Sequence, residues 1–561
     1  SFETWEYDED GRLAAHRTRA GYQQGFWYDD RDRLLTFYPG DWRNAVQYQY
    51  DALGRVTVID NGTAWLGYSY DAAGQLTAET TYGYPFYVER TLTHAHDNDG
   101  NRVSMQYPGG MQVAYTHTAR GQVSSISVDG PPPLVTYTYD AAGRRVGKML
   151  ENGVGTTYGY DMAGRLTNLV HAIAAGNGVA GLEHRVAYTL NNVGNRTARG
   201  EALNGPLETD TYGHDATDQL TSVAYADGRQ VAYQYDALGN RQSVNDAGTV
   251  TAYTANPANQ YTAIGAFTPE YDSAGNATQL EPGLGCQYDS DNHLTSAERN
   301  GRRLLFHYDG RHRVIARRHM DSGRIEQLQY DGWNLIEERD ENDALTKTHV
   351  HGPDVDEIVT TIRGQDPTPL YHHHDGLGSV IALTTTNATL LETYRYDVYG
   401  QRTVLDHCGC SSTDSIAGNR FAFTGREWLG EVGLYDYRHR VYSPTAGRFL
   451  QTDPIGFDAG DMNWYRYVAN QPYMFGDPSG EFSAAGLGAA AAAGTLVVTT
   501  TGALICLNKV DNFRSKCEEK TLQQKAACAK ACGDWTDSRE SYSCAGISWE
   551  GPCGGVCHVT K

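Results

Sequence analysis

Polar and apolar residues alternate along most of this chain in short runs, each broken by a turn. Gln47-Tyr48-Gln49-Tyr50 and Tyr137-Thr138-Tyr139 are examples. A period of two places one face of a segment inward and predicts half-buried strands. The runs close on a recurrent heptapeptide. Tyr50-Asp51-Ala52-Leu53-Gly54-Arg55-Val56 returns as Tyr70-Asp71-Ala72-Ala73-Gly74-Gln75-Leu76 and is preceded by Tyr7-Asp8-Glu9-Asp10-Gly11-Arg12-Leu13. Asp can bond nearby backbone N–H groups and Gly accepts positive φ, so Asp-x-x-Gly predicts a tight turn. The Arg/Gln-Leu/Val that follows opens the return strand. Each unit is predicted as strand, turn, strand.

The Tyr-Asp pair recurs at Tyr139, Tyr160, Tyr235, Tyr271, Tyr288, Tyr308, Tyr330 and Tyr396, with looser copies at Tyr28, His96, His214 and His374. Regular self-similarity marks a repeat architecture. One hairpin cannot bury its face alone, so the copies are expected to share a sheet. The fold class predicted is all-β. The Tyr of the motif is read as structural, against the alternative of an exposed sugar-binding surface.

Composition agrees: 62 Gly and 39 Tyr stand against 13 Phe and 7 Met, which suits many short strands and tight turns. The net charge of −22 falls entirely on residues 1–480, because Lys/Arg and Asp/Glu are equal in number from Glu481 to Lys561. That excludes nucleic acid and anionic lipid as partners of the body, since both need basic surface. The chain opens within a repeat, without Met or an apolar leader, and is expected to be a fragment or a processed product.

The candidate chemistry lies between Leu434 and Gly480, which holds Asp453-Pro454-Ile455-Gly456 and Asp477-Pro478-Ser479-Gly480. Pro fixes φ and Gly permits an unusual turn, so two such elements can hold two Asp side chains face to face. Paired carboxylates cannot both ionise easily. One then serves as acid and one as base on a peptide bond. Asp-Pro-x-Gly is also an ordinary turn, and the alternative reading has both elements merely capping the sheet.

Context extends this reading. The YD copies resemble the repeats of Rhs proteins, shared by the C components of bacterial ABC toxin complexes and by teneurins. Arg440-Val441-Tyr442-Ser443-Pro444 through Gly447-Arg448-Phe449 to Asp453-Pro454 resembles the Rhs core hallmark, as does Asn463-Trp464-Tyr465-Arg466-Tyr467 with Asn470 and Pro472. The resemblance implies a large hollow β-sheet shell, a cocoon or barrel, plugged by the core domain and carrying a small Cys-rich, partly helical tail. It divides the chain into a shell (1–405), a core-associated domain (406–480) and variable cargo (481–561). It further implies an aspartyl self-protease with Asp453 and Asp477 as the carboxylate pair, Arg440 as their supporting cation and Arg448 in a structural role. The cut falls at Glu481–Phe482, with Gly480–Glu481 as the fallback. The family commonly has an apolar residue where this chain has Glu481. Implied partners are the enclosed tail itself, an immunity protein and a secretion-apparatus component such as type VI, in a protein secreted or delivered in interbacterial competition. No cofactor is implied. The rival reading is a non-catalytic adhesion or carbohydrate-binding YD protein with an inert tail.

Two Cys-containing segments remain. Cys408-Gly409-Cys410 beside His407 is either a loop thiol pair or the start of a metal site, and no metal is assigned to it. The tail opens with an uncharged run, 482–508, long enough to span a bilayer but only modestly apolar, so membrane contact and packing within the shell both stay open. Beyond it Cys528, Cys532, Cys553 and Cys557 suit either disulfides or zinc.

Overall fold

The computed structural model describes residues 3–40, 45–173, 182–364, 366–412 and 414–481. Contacts divide the chain into Ser1–Val497 and Val498–Lys561, and all described residues lie in the first unit. The expectations for the tail, including its membrane run and its cysteines, fall outside the described residues.

The described chain is almost wholly β. A 24-stranded sheet runs from Thr4 to Ile264, a two-stranded ribbon covers Glu270–Tyr271 and Ala277–Gln279, and a 13-stranded sheet runs from Leu284 to Ser412. Within each sheet, strands pair antiparallel with their neighbours in sequence, as a meander. The ladder continues past Asp406, because Ser411–Ser412 still pairs with Arg402–Asp406. Four short strands follow: Glu427–Leu429, Leu434–Tyr437, Arg440–Ser443 and Arg448–Phe449.

Every letter of the YD motif has a physical task, seen in the copy at Tyr50. Asp51 Oδ1 accepts the N–H groups of Leu53 (2.8 Å) and Arg55 (2.9 Å), and Oδ2 accepts from Arg55 Nε (2.6 Å). The Arg then reaches the next repeat. Its Nη1 donates to the Asp71 carbonyl (3.2 Å), and its guanidinium lies 4.6 Å from the Tyr70 ring centre. The Tyr70 hydroxyl donates back to the Val56 carbonyl (2.8 Å). Neighbouring turns are therefore tied by a backbone bond, a cation–π contact and a hydroxyl bond. The recurrent tyrosines are spent on this, as expected of a structural motif. Gly54 takes φ +84°, and a Cβ there would meet only the Arg33 side chain at an ordinary 3.9 Å, so its backbone conformation and not crowding selects Gly. Where the slot lacks Gly it holds Asp32, Asp218, Asn259, Asn292, His312 or Asp343, all at positive φ and of types enriched there, and in the Thr385 turn Ala388.

The sheet interior buries an unusual number of histidines. His171 donates from Nε2 to the His374 carbonyl (2.9 Å) and sits 2.8 Å from the Thr156 hydroxyl through Nδ1. His351 donates to the Leu335 carbonyl (2.7 Å). Burial pushes His171 and His372 down to about 3, and His94 and His351 down to about 4.

The chain between Arg420 and Gly480 docks on the turns of the repeats. Tyr435 donates to the Gly400 carbonyl, Tyr442 to that of Tyr399, Tyr465 to that of Gly275, and Asn470 to that of Gly239, at 2.6–2.8 Å. Its own core is aromatic: Phe423, Tyr435, Tyr437, Tyr442, Phe449, Tyr467 and Phe475 pack together. A second cluster joins Leu429, Leu434, Val441 and Leu450 to Leu284, Leu304, Leu328 and Val380 of the 13-stranded sheet.

Two outcomes are expected. Gly54→Val forces a β-branched residue to positive φ and costs about 1–2 kcal/mol locally. Hydrogen exchange at residues 51–55 should speed up while distant turns keep their protection. For the histidines, the folded state stays neutral where the unfolded chain takes up protons. Stability is thus complete above pH 6.5 and is lost as pH falls from 6.5 toward 3–4, at roughly 1.4 kcal/mol per pH unit for each group in that window. Thermal melts from pH 7 to 5 should show it, and His171→Gln with His372→Gln should flatten the slope.

Candidate self-cleavage site

Local geometry brings Arg440, Asp453 and Asp477 together. Arg440 opens a strand paired with Leu434–Tyr437 and is 1% exposed, its guanidinium stacked 3.7 Å from the Phe449 ring centre. Asp453 begins a turn in which Gly456 N–H returns to its carbonyl (3.0 Å) and Ile455 N–H bonds its Oδ1 (3.1 Å). Asp477 begins the closing turn. Its Oδ1 accepts from the N–H groups of Gly480 (2.9 Å) and Glu481 (3.1 Å). Gly480 sits at φ +72°, and a Cβ there would lie 2.5 Å from the Tyr437 carbonyl oxygen, so only Gly closes this turn.

The two turns converge on one atom. Arg440 Nη2 is 2.9 Å from Asp453 Oδ2 and 3.2 Å from Asp477 Oδ2. The rest of the guanidinium fixes its plane: Nη1 donates to the Trp464 carbonyl (3.0 Å) and Nε to the carbonyl of Gly480. Asp453 and Asp477 are 6% and 1% exposed. Burial pushes Asp453 up to about 6, against the opposing pull of Arg440 and with the Asp477 charge adding to the rise.

Glu481 completes the neighbourhood. Its Oε1 lies 3.8 Å from His439 Nε2, and its side chain is 30% exposed. Burial, with the charges of Asp453 and Asp477 behind it, pushes Glu481 up to about 7. Phe482, the other residue of the expected cut, lies outside the described residues.

Arg448 is set apart from the pair. Its guanidinium packs 4.0 Å from the Tyr261 ring centre and donates to the Asn259 carbonyl (2.9 Å), which is structural work. Sequence reasoning missed the Trp464 and Gly480 carbonyls, because backbone acceptors leave no residue-type signature, and it missed the half-buried His439. Asp406, His407 and Cys408 place three ligand-type atoms within 4.8 Å of one another in an exposed loop, with Cys408 Sγ 3.2 Å from His407 Nε2. Cys286, by contrast, is a buried thiol that burial pushes up to about 12, which makes it inert.

Comparison with known proteins follows the same lines. The Teneurin YD-shell family matches residues 34–172 and 185–475. The chain is 26% identical over 472 residues to the probable deoxyribonuclease RhsA of Dickeya dadantii, covering 78% of this chain and 29% of that protein. It is 25% identical over 544 residues to the toxin protein Tse5 of Pseudomonas aeruginosa, covering 85% and 37%, and 27% identical over 277 residues to the tRNA nuclease WapA of Bacillus subtilis, covering 47% and 11%. The chain thus spans well under half of each relative. Among solved structures, TcdB2-TccC3 superposes with a TM-score of 0.73 at 17% identity, over 85% of this chain and 28% of that one, a likeness of fold. With repeats and most of the plug matched over 34–172 and 185–475, the chain belongs to the Teneurin YD-shell family.

Proposed function

We propose that this chain is the shell and self-cleaving plug of an Rhs-type toxin, and that it hydrolyses its own Glu481–Phe482 bond to free the segment beyond. The observation that carries the reading is the pair of buried carboxylates on a single guanidinium nitrogen, directly beside the backbone of Gly480 and Glu481. The Glu481 N–H donates to Asp477 (3.1 Å), and the Gly480 carbonyl is held by Arg440. The register after the closing motif puts the cut at Glu481–Phe482, with Gly480–Glu481, whose carbonyl Arg440 polarises, as the fallback.

The chemistry needs no cofactor. A water oxygen attacks the Glu481 carbonyl carbon while one carboxylate takes the water's proton. The protonated partner donates to the carbonyl oxygen, giving a gem-diol; the carboxyl that took the water's proton then passes it to the Phe482 nitrogen as the C–N bond breaks, and its partner recovers a proton from the diol. Asp453, raised to about 6, suits the acid. Asp477, held by two backbone N–H groups and Arg440, suits the base. Arg440 orients both and neutralises one of the two charges.

Names carried by the relatives, a toxin and two nucleases, support a toxic segment after the plug and a protein delivered out of the producing cell. An enclosed tail, an immunity protein and a delivery apparatus follow from the same reading.

Purified full chain should separate under denaturing conditions into a shell ending at Glu481 and a tail beginning at Phe482. Asp453→Asn and Asp477→Asn should each slow this by about 10²-fold or more. A chain that stays intact would remove the protease, and a tail beginning at Glu481 would move the cut. Because Asp453 must hold a proton, the rate should fall as pH rises past about 6. Arg440→Gln leaves two buried carboxylates facing each other. It should cost about 3–5 kcal/mol in chemical denaturation, well beyond the loss in Asp453→Asn, which removes one of the two charges.

A further inference from the structure

Glu481 brings a third carboxyl to a centre built for two. Its backbone is pinned, with the N–H on Asp477 Oδ1 (3.1 Å) and Ser479 Oγ (3.2 Å), so the side chain is kept beside the pair. Its charged and titratable neighbours among the described residues are few. Arg440 faces it from the strand Arg440–Ser443, Asp453 from the first Asp-Pro turn, Asp477 from the second and His439 from the turn before Arg440. The remaining cation of that turn, Arg438, is spent on Asp356 and on the Pro478 carbonyl (2.8 Å). His439 is packed against Trp333, with ring centres 5.1 Å apart, and against His312 at 6.3 Å. Burial pushes it down to about 4, so near neutral pH it offers no charge. Among the described residues, Arg440 is thus the one charged cation near three carboxyls, and it is paired with Asp453 and Asp477.

We propose that Glu481 is a proton gate on self-cleavage: the chain cuts itself when the Glu481 carboxyl is protonated and stalls when it is ionised. The proposal rests on the self-cleavage reading above. The physical reason is local charge. An ionised Glu481 competes with Asp453 and Asp477 for Arg440. It also places a negative charge one residue side chain from the carbonyl oxygen on which negative charge develops during attack, which opposes the transition state. Protonated, it is a neutral side chain that leaves Arg440 to the pair. A residue at this position with no titratable group would have no such effect. Burial and the two aspartates hold the Glu481 proton into the neutral range, so the gate would turn between mildly acidic and mildly alkaline surroundings.

The test compares rates, not rate. Full chain is refolded at pH 8.5 and shifted to a series between pH 6 and 8.5, and the first-order appearance of the tail is followed for the natural chain, Glu481→Gln, Glu481→Asp and Glu481→Leu. All variants share the fall imposed by Asp453, so the informative quantity is the natural rate divided by the Glu481→Gln rate. Whatever its value at pH 6, this ratio should be constant below pH 7 and drop about tenfold per pH unit above it, the loss of one further proton. Glu481→Asp should keep a falling ratio, and Glu481→Leu should match Glu481→Gln and serves if the amide variant misfolds. A ratio constant across the range overturns the gate and leaves self-cleavage standing. Absence of cutting in every form at every pH overturns self-cleavage itself.

Discussion

A single guanidinium nitrogen, Nη2 of Arg440, is the point on which two separate turns close. Two buried carboxylates repel each other and each is costly to desolvate. Without a cation between them neither Asp-Pro turn would settle with its side chain inward. Arg440 meets this demand only because its other nitrogens are held by the carbonyls of Trp464 and Gly480 and its face lies on Phe449. The same contacts fix the backbone that leads to the cut. Support, electrostatics and substrate placement are thus one set of bonds, which is why the aromatic packing around the plug matters to the chemistry.

The repeats supply the frame by a different route. Each turn is closed by its own Asp and tied to the next by Arg and Tyr, so order passes from repeat to repeat through short contacts. The plug then reads the turns, whose carbonyls at Gly239, Gly275 and Gly400 accept its Asn and Tyr donors. Turns of the large sheet, the ribbon and the 13-stranded sheet thus together seat the domain that holds the closing turn at Gly480.

Much of this was legible in the residue order. The alternation before each Tyr, the Asp-x-x-Gly turn and its period yield the meander directly, since each depends on contacts within a few residues. The meeting of Asp453 and Asp477 was legible as a possibility of chemistry and became specific through the motif around Arg440. What the order of residues did not reveal are the long-range neighbours: the histidines buried in the sheet interior, the two backbone acceptors of Arg440, and the closeness of Glu481 to both aspartates. Those depend on which strands end beside one another, and no local pattern encodes that. Glu481 stands out in the sequence as an odd residue after the closing Gly, but its carboxyl becomes meaningful only once Asp453, Asp477 and Arg440 are seen beside it.

The most direct test of the central claim follows the oxygen. If water, activated between Asp453 and Asp477, opens the Glu481–Phe482 bond, cleavage in H2¹⁸O must leave one heavy oxygen on the new carboxyl of Glu481 and none on the tail. Mass spectrometry of the shell's terminal peptide reads this. Label at Glu481, lost with either aspartate, is the result expected. An unlabelled terminus, or label on a different residue, would contradict the account.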